Sequence, residues 1–126
     1  MKTNNSNHYV VNARREKEIP HHPDKSVERL TYMSRDLVPQ ANIFIGVETT
    51  SGDRVSDVEF HKHDVDEIYC LLGDITMEIQ IEDEKFTAIA PASVYFPAGK
   101  SHRSIRISGT GKTIVVLLQP IYNAAD

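Results

Sequence analysis

The chain is short of cysteine, of long apolar runs and of excess basic charge, and each shortage removes a class of protein. A single cysteine, Cys70, in 126 residues rules out an intrachain disulfide, so the core must hold the fold and a reducing, cytoplasmic setting is expected. The opening MKTNNSNHYVVNARREKE holds no apolar segment of signal-peptide length, and no run elsewhere approaches the roughly 20 residues of a membrane-spanning helix. No membrane association is expected. Lys and Arg total 14 against 18 Asp and Glu, a formal net charge of −4, which leaves no basic face of the kind nucleic-acid binding requires. G-x-S-x-G, a phosphate-cradling glycine loop and C-x-x-C are also missing.

What the chain does contain is alternation. In DITMEIQIE, Ile75, Met77, Ile79 and Ile81 fall on one face and Thr76, Glu78, Gln80 and Glu82 on the other, the pattern of a strand with one buried and one wet side. NIFIGVET, VSDVEFHKH, DEIYCLL, EKFTAIA, SVYFPAG, HRSIRIS and KTIVVLLQP read as further strands, separated by the turn-forming TSGD, LGD, IEDEK, PAGKS and SGTGK. Only Lys25 to Leu30 allows a helical turn. Many short strands at close spacing predict an all-β sandwich or barrel-like double sheet. Residues 1–28 are polar and irregular and read as an N-terminal extension, with His8, His21 and His22 as surface histidines, while 29–126 form the domain.

The chemistry concentrates in FHKHDVDEIYCLLGD. His61 and His63 are two apart and share a strand face, and Glu67 at the start of the next strand comes back beside them. Two imidazoles and a carboxylate suit a divalent ion such as Zn, Mn, Fe or Ni, with bonds of about 2.0–2.2 Å. Alone, a His-x-His pair at a strand end is as readily just solvated. A second stretch, PASVYFPAGKSHRSIR, adds a turn at Pro97-Ala98-Gly99 and then His102, a third imidazole entering a strand from a separate hairpin.

HKHDVDE…G followed by PAGKSHRSIR resembles the paired signature motifs of the cupin superfamily. His61, His63 and Glu67 match the metal ligands of the first motif and His102 that of the second. Five residues separate Glu67 from Gly73 where the family has six, so either the hairpin is tighter or Asp66 competes for the ligand slot. Arg106 stands where the family usually has asparagine.

The resemblance implies a double-stranded antiparallel jelly-roll barrel carrying one divalent transition metal per chain (Fe, Mn, Ni or Zn), and a homodimer. Tyr69, two beyond Glu67, is a candidate proton donor or acceptor beside the metal, or else a core filler. Arg106, four beyond His102, points inward if its strand is regular, where it would grip a substrate anion or pair with a barrel acid such as Glu59. Glu59 is also a candidate to orient a ligand imidazole. Asp64 and Asp66 read as turn residues, and Cys70, of opposite parity to Glu67, as a packed small hydrophobe. The expected function is a metal-dependent enzyme acting on a small, oxygen-rich, anionic metabolite, by dioxygenase, isomerase or lyase chemistry. The alternative is a non-catalytic cupin that binds or senses a metal or small ligand.

Overall fold

The structure, a computed structural model, describes residues 9–16, 27–55 and 59–118. The described residues contain no helix and ten strands: β1 (Arg14–Glu16), β2 (Glu28–Met33), β3 (Ile43–Ser51), β4 (Arg54–Val55), β5 (Asp66–Gly73), β6 (Thr76–Ile81), β7 (Glu84–Ile89), β8 (Ala92–Phe96), β9 (His102–Ser108) and β10 (Thr110–Leu118). They form a six-stranded sheet in the order β1-β2-β3-β10-β5-β8 and a four-stranded sheet in the order β4-β9-β6-β7. Every pairing is antiparallel. This is the predicted all-β double sheet.

Alternation sets which side chains lie between the sheets. Ile75, Met77 and Ile79 are buried together with Ile107 of β9, Tyr69 and Leu71 of β5 and Phe96 of β8. Each such side chain taken fully out of water contributes about 1.5–3 kcal/mol. A smaller cluster joins Phe44 of β3 to Leu117 of β10.

The strand map departs from expectation in three places. VSDVEFHKH is not one strand: β4 covers only Arg54–Val55, and His61 makes an isolated antiparallel bridge to His102. That bridge lies on β9, the same strand that pairs with β4, so the described residues around His61 still run beside the four-stranded sheet. Of the expected helical turn at Lys25 to Leu30, Lys25 and Ser26 lie outside the described residues, and from Glu28 onward the chain is β2, to which β3 offers a ladder from Thr49 to Ile45. Within the polar extension, Arg14–Glu16 forms β1 on the edge of β2. His8, His21 and His22 lie outside the described residues.

A further difference, in the facing of one side chain and not in the strand bounds, concerns Arg106. In the β6–β9 ladder Ser104 pairs with Ile79 but Arg106 with Glu78, so Ile105 is an extra residue without a partner. Such a bulge reverses the parity of everything beyond it. His102 and Ser104 face inward before it and Ile107 after it, while Arg106 is exposed, opposite Glu78 on the outer face. The expected inward arginine is therefore corrected: Arg106 lies in solvent and takes no part in the site.

Candidate metal centre

Main-chain bonds sew the two histidine segments together. His61 N–H donates to the His102 carbonyl at 3.1 Å, and His102 N–H donates to the His61 carbonyl at 2.7 Å. One turn further on, Gly99 N–H donates to the His63 carbonyl at 2.8 Å and Ala98 N–H to Asp66 Oδ1 at 2.9 Å. The Pro97-Ala98-Gly99 turn is thereby clamped against the segment carrying the first three candidate ligands. Gly99 has φ +81°, a conformation that suits glycine. Asp66, left open as a rival ligand, is a turn clamp instead, and Asp64 is exposed.

Glu67 belongs to the metal cluster despite the short run to Gly73. β5 continues straight from Asp66 to Gly73, placing Glu67 opposite Phe96 and Leu117 with its side chain inward. Gly73 closes the strand with φ +82°, and a Cβ there would lie 2.7 Å from the Thr110 carbonyl oxygen. The tighter hairpin is thus accommodated by a backbone approach that only glycine permits.

His61, His63, Glu67 and His102 each present one donor atom, all four within 4.8 Å of one another. Glu67 Oε1 lies 2.8 Å from His102 Nε2 and 3.7 Å from His63 Nε2. Two atoms bound at about 2.1 Å to one ion are about 3 Å apart when adjacent and about 4.2 Å when opposite; the two Glu67 distances fall in or near that range, and spacings of up to 4.8 Å would close by roughly half an ångström around a single divalent ion. Glu67 Oε1 and His102 Nε2 are buried and make no hydrogen bond, even though they sit 2.8 Å apart. Both aim at a shared third point rather than at each other. The residues fit the ion that the fold implies.

The imidazoles are set for that role by the backbone. His61 Nδ1 donates to the Glu59 carbonyl at 2.5 Å and His102 Nδ1 to the Lys100 carbonyl at 3.2 Å. A carbonyl can only accept, so Nδ1 carries the proton and Nε2 is left as the ligand atom. Glu59 does orient an imidazole, but through its main chain; its side chain is exposed. Burial pushes His61 down to about 4, with the neighbouring His102 and His63 adding to the effect, so this ring is neutral at neutral pH.

Phe96, which the motifs do not mark, forms the wall behind the cluster. Its ring lies 4.3 Å from that of His102 and 4.7 Å from that of Tyr69. Its signal in the sequence is parity: in SVYFPAG it shares the face of Val94, directly before the clamped turn. Tyr69 faces the interior one inward position below Glu67, as expected, and is buried. Cys70 faces the other way, its thiol 4.0 Å from Ser93 Oγ.

No family model matches this sequence, and no curated protein does. Solved structures match its fold. KdgF from Halomonas sp. superposes with a TM-score of 0.60 at 14% identity, over 86% of this chain and 88% of that one. A predicted oxalate decarboxylase from Thermotoga maritima does so with 0.59 at 19% identity, over 94% and 99%. A cupin 2 conserved barrel domain protein from Salinispora arenicola gives 0.55 at 16% identity, over 81% and 82%. With its two antiparallel sheets and these neighbours, the chain has the cupin fold.

Proposed function

We propose that the protein is a divalent-metal-dependent enzyme acting on a small, oxygen-rich, anionic metabolite. The observation that carries this reading is the convergence of His61, His63, Glu67 and His102, with two buried donor atoms left without hydrogen bonds and two imidazoles held in the ligating tautomer. Four ligands from the chain leave room for substrate oxygens if the ion is five- or six-coordinate, which Fe, Mn and Ni accept more readily than Zn. A bound ion of this kind would supply Lewis acidity toward an oxygen of the substrate.

The chain's own residues supply the rest. Tyr69 is the candidate proton carrier, placed on the same inner face as Glu67 with its ring held edge-on by Phe96. Phe96 and the Ile79–Met77 row exclude water from that side of the interior. One solved neighbour is named as a predicted oxalate decarboxylase, and a small dianion of that type agrees with the class proposed here.

The test is metal analysis of full-length protein purified without added metal, followed by turnover on a panel of hydroxy and keto acids. About one ion per chain is expected, lost on His63→Ala or His102→Ala. Turnover that survives Tyr69→Phe would remove the phenol from the chemistry. An ion with no turnover on any acid would favour a binding or sensing protein instead.

A further inference from the structure

Among the described residues, only one other than glycine has a left-handed backbone. Glu82, the first residue of the turn between β6 and β7, has φ +54° and is exposed. Glycine, asparagine or aspartate takes this conformation with less strain than glutamate does. A residue kept in such a conformation points to a role for its side chain. The N–H, the carboxylate and the carbonyl of Glu82 are all engaged. The N–H donates to the Ser101 carbonyl at 2.8 Å, the carboxylate oxygen Oε2 accepts the Ser101 N–H at 2.9 Å, and the carbonyl accepts Gln80 Nε2 at 3.0 Å. Main chain and side chain of one residue close on the same partner.

That partner sits directly before His102. The Ser101 N–H belongs to the same peptide group as the Lys100 carbonyl, which accepts the His102 Nδ1 proton at 3.2 Å. The Ser101 carbonyl belongs to the same peptide group as the His102 N–H, which donates to the His61 carbonyl at 2.7 Å. Glu82 therefore holds both peptide groups on which His102 depends, one for its ring and one for its main chain. The first connection is a continuous chain of hydrogen bonds from carboxylate through peptide to imidazole. In such a chain each bond polarises the next. A carboxylate accepting from the N–H makes the carbonyl of that peptide a stronger acceptor. The proton is then kept on Nδ1, and Nε2, the buried atom aimed at the cluster, gains basicity. Metal-binding imidazoles are commonly set by an acceptor bonded directly to their second nitrogen, and here a peptide group stands between that nitrogen and the acid.

A brace on the outer face fixes the same turn. Gln80, which holds the Glu82 carbonyl, accepts in turn from Arg103 Nε and Nη2, each at 3.2 Å. The Arg103 guanidinium lies over the Phe60 ring, 5.6 Å from its centroid. Phe60 precedes His61 and Arg103 follows His102, so the outward neighbours of two candidate ligands are stacked on each other and tied to Glu82. The β6–β9 ladder ends at the pair Ile81 and His102, and the contact between Glu82 and Ser101 extends it by one position.

We infer that Glu82 is a positioning residue for His102: through the Lys100–Ser101 peptide its carboxylate keeps the ring in the tautomer and orientation that bind a divalent ion, and so sets the affinity of the centre. The inference rests on the metal-dependent reading above for the ion. The location of the Nδ1 proton belongs to this chain alone and can be read without one. A plain turn anchor would affect melting and leave that proton where it is.

Two measurements on the full-length protein test this: zinc affinity by competition with a chromogenic chelator, and the His102 tautomer by nitrogen NMR of metal-free, histidine-labelled protein. Glu82→Gly removes the carboxylate and the left-handed strain together, so the fold should persist while zinc binding weakens about tenfold. The Nδ1-protonated signal of His102 should give way to a mixture of tautomers. Glu82→Asn suits the same backbone but is a methylene too short to reach Ser101, and it should do the same even if Glu82→Gly does not fold. Glu82→Gln keeps an acceptor oxygen at full reach and should stay within about twofold of the wild type, its ring unchanged. Asp83→Asn takes one charge from the same exposed turn and should change neither value. Wild-type zinc affinity in Glu82→Gly and Glu82→Asn would overturn the proposal, as would an equal loss in Glu82→Gln or Asp83→Asn. Should the wild type bind no zinc, the metal-dependent reading fails and the NMR comparison alone decides: mixed tautomers in Glu82→Gly or Glu82→Asn support the role of Glu82, and an unchanged ring overturns it.

Discussion

Phe96 and Phe86 carry the same side chain at opposite extremes of burial, and substituting both separates packing from composition. Phe96 is 1% exposed, wedged between the Tyr69 ring at 4.7 Å and the His102 ring at 4.3 Å. Phe86 on the edge strand β7 is 48% exposed. Phe96→Ala leaves a cavity with aromatic walls and should cost about 3–5 kcal/mol. At about 4 °C per kcal/mol for a domain of this size, melting falls by roughly 12–20 °C. Phe86→Ala should stay within about 1 kcal/mol. Thermal unfolding followed by circular dichroism, on chelator-treated protein so that metal linkage does not mask the effect, gives both values. Phe96→Leu keeps most of the volume and should cost less than about 1.5 kcal/mol. It removes the flat face behind His102, however, so metal affinity should fall more than stability does. Equal losses for Phe96→Ala and Phe86→Ala would refute this account of the core, and unchanged metal affinity in Phe96→Leu would refute the role of the ring behind His102.

Burial holds His61 neutral down to about pH 4 in the folded chain, whereas the unfolded chain takes up the proton near its ordinary value of 6.5. The metal-free protein should therefore lose stability as pH falls between those values and show no contribution from this group above them; a denaturant midpoint that is flat across the window, or one that His61→Gln does not flatten, contradicts it. Gly73→Ala and Gly52→Ala both place a side chain at positive φ, but only the first brings a Cβ to 2.7 Å from a backbone oxygen, while the second meets nothing within 4 Å. Gly73→Ala should accordingly destabilise by clearly more than the about 1 kcal/mol expected at Gly52, as read from denaturant unfolding. The homodimer that the family resemblance suggests would use the outer row Ile45–Val116–Ile68–Tyr95, which runs apolar across four strands. Light scattering should then give twice the 14.2 kDa of one chain, with Val116→Lys monomeric, and a monomeric wild type would remove the idea.

The candidate ligands were legible because they depend on parity and on one turn, both local. Two positions separate His61 from His63, a proline-glycine turn precedes His102, and Glu67 opens an alternating strand; none of this needs the partner strands. Arg106 was not legible by the same rule, since parity fails at the Ile105 bulge. HRSIRIS nonetheless holds a clue. A regular strand with His102 inward also turns Arg106 inward and both Ile105 and Ile107 outward, a poor burial pattern that one extra residue relieves. Glu82 was hidden for a different reason. Its meaning comes from Ser101, which approaches from another hairpin, and such a contact leaves no trace in local spacing. Asp66 sat between the two cases: the Ala98 amide, 32 residues away, and the Tyr95 phenol show that its carboxylate is already engaged.

The metal cluster sits on the end of the core formed by Phe96 and Tyr69 and is assembled by main-chain bonds, and this has a consequence for how the protein responds to losing its ion. His61 and His102 are joined by a reciprocal pair of main-chain bonds, and both rings are oriented by main-chain carbonyls. None of those bonds needs the ion. The apolar cluster of Ile75, Met77, Ile79, Ile107 and Leu71 lies on rows beyond the histidines. In small domains whose ligands come together only around the ion, removing the metal unfolds the chain. Here the donors are brought together by the sheets, so chelation should leave the far-ultraviolet spectrum of β-structure intact and lower the melting temperature only by the linkage of ion to folded state, about 2.7 kcal/mol at a hundredfold excess over Kd. His63→Ala should behave as the chelated wild type does, because its ring is the least buried of the three imidazoles and its main chain keeps the bond to Gly99. Collapse of the β-spectrum on chelation would mean that the ion, and not the ladder, assembles the two histidine segments.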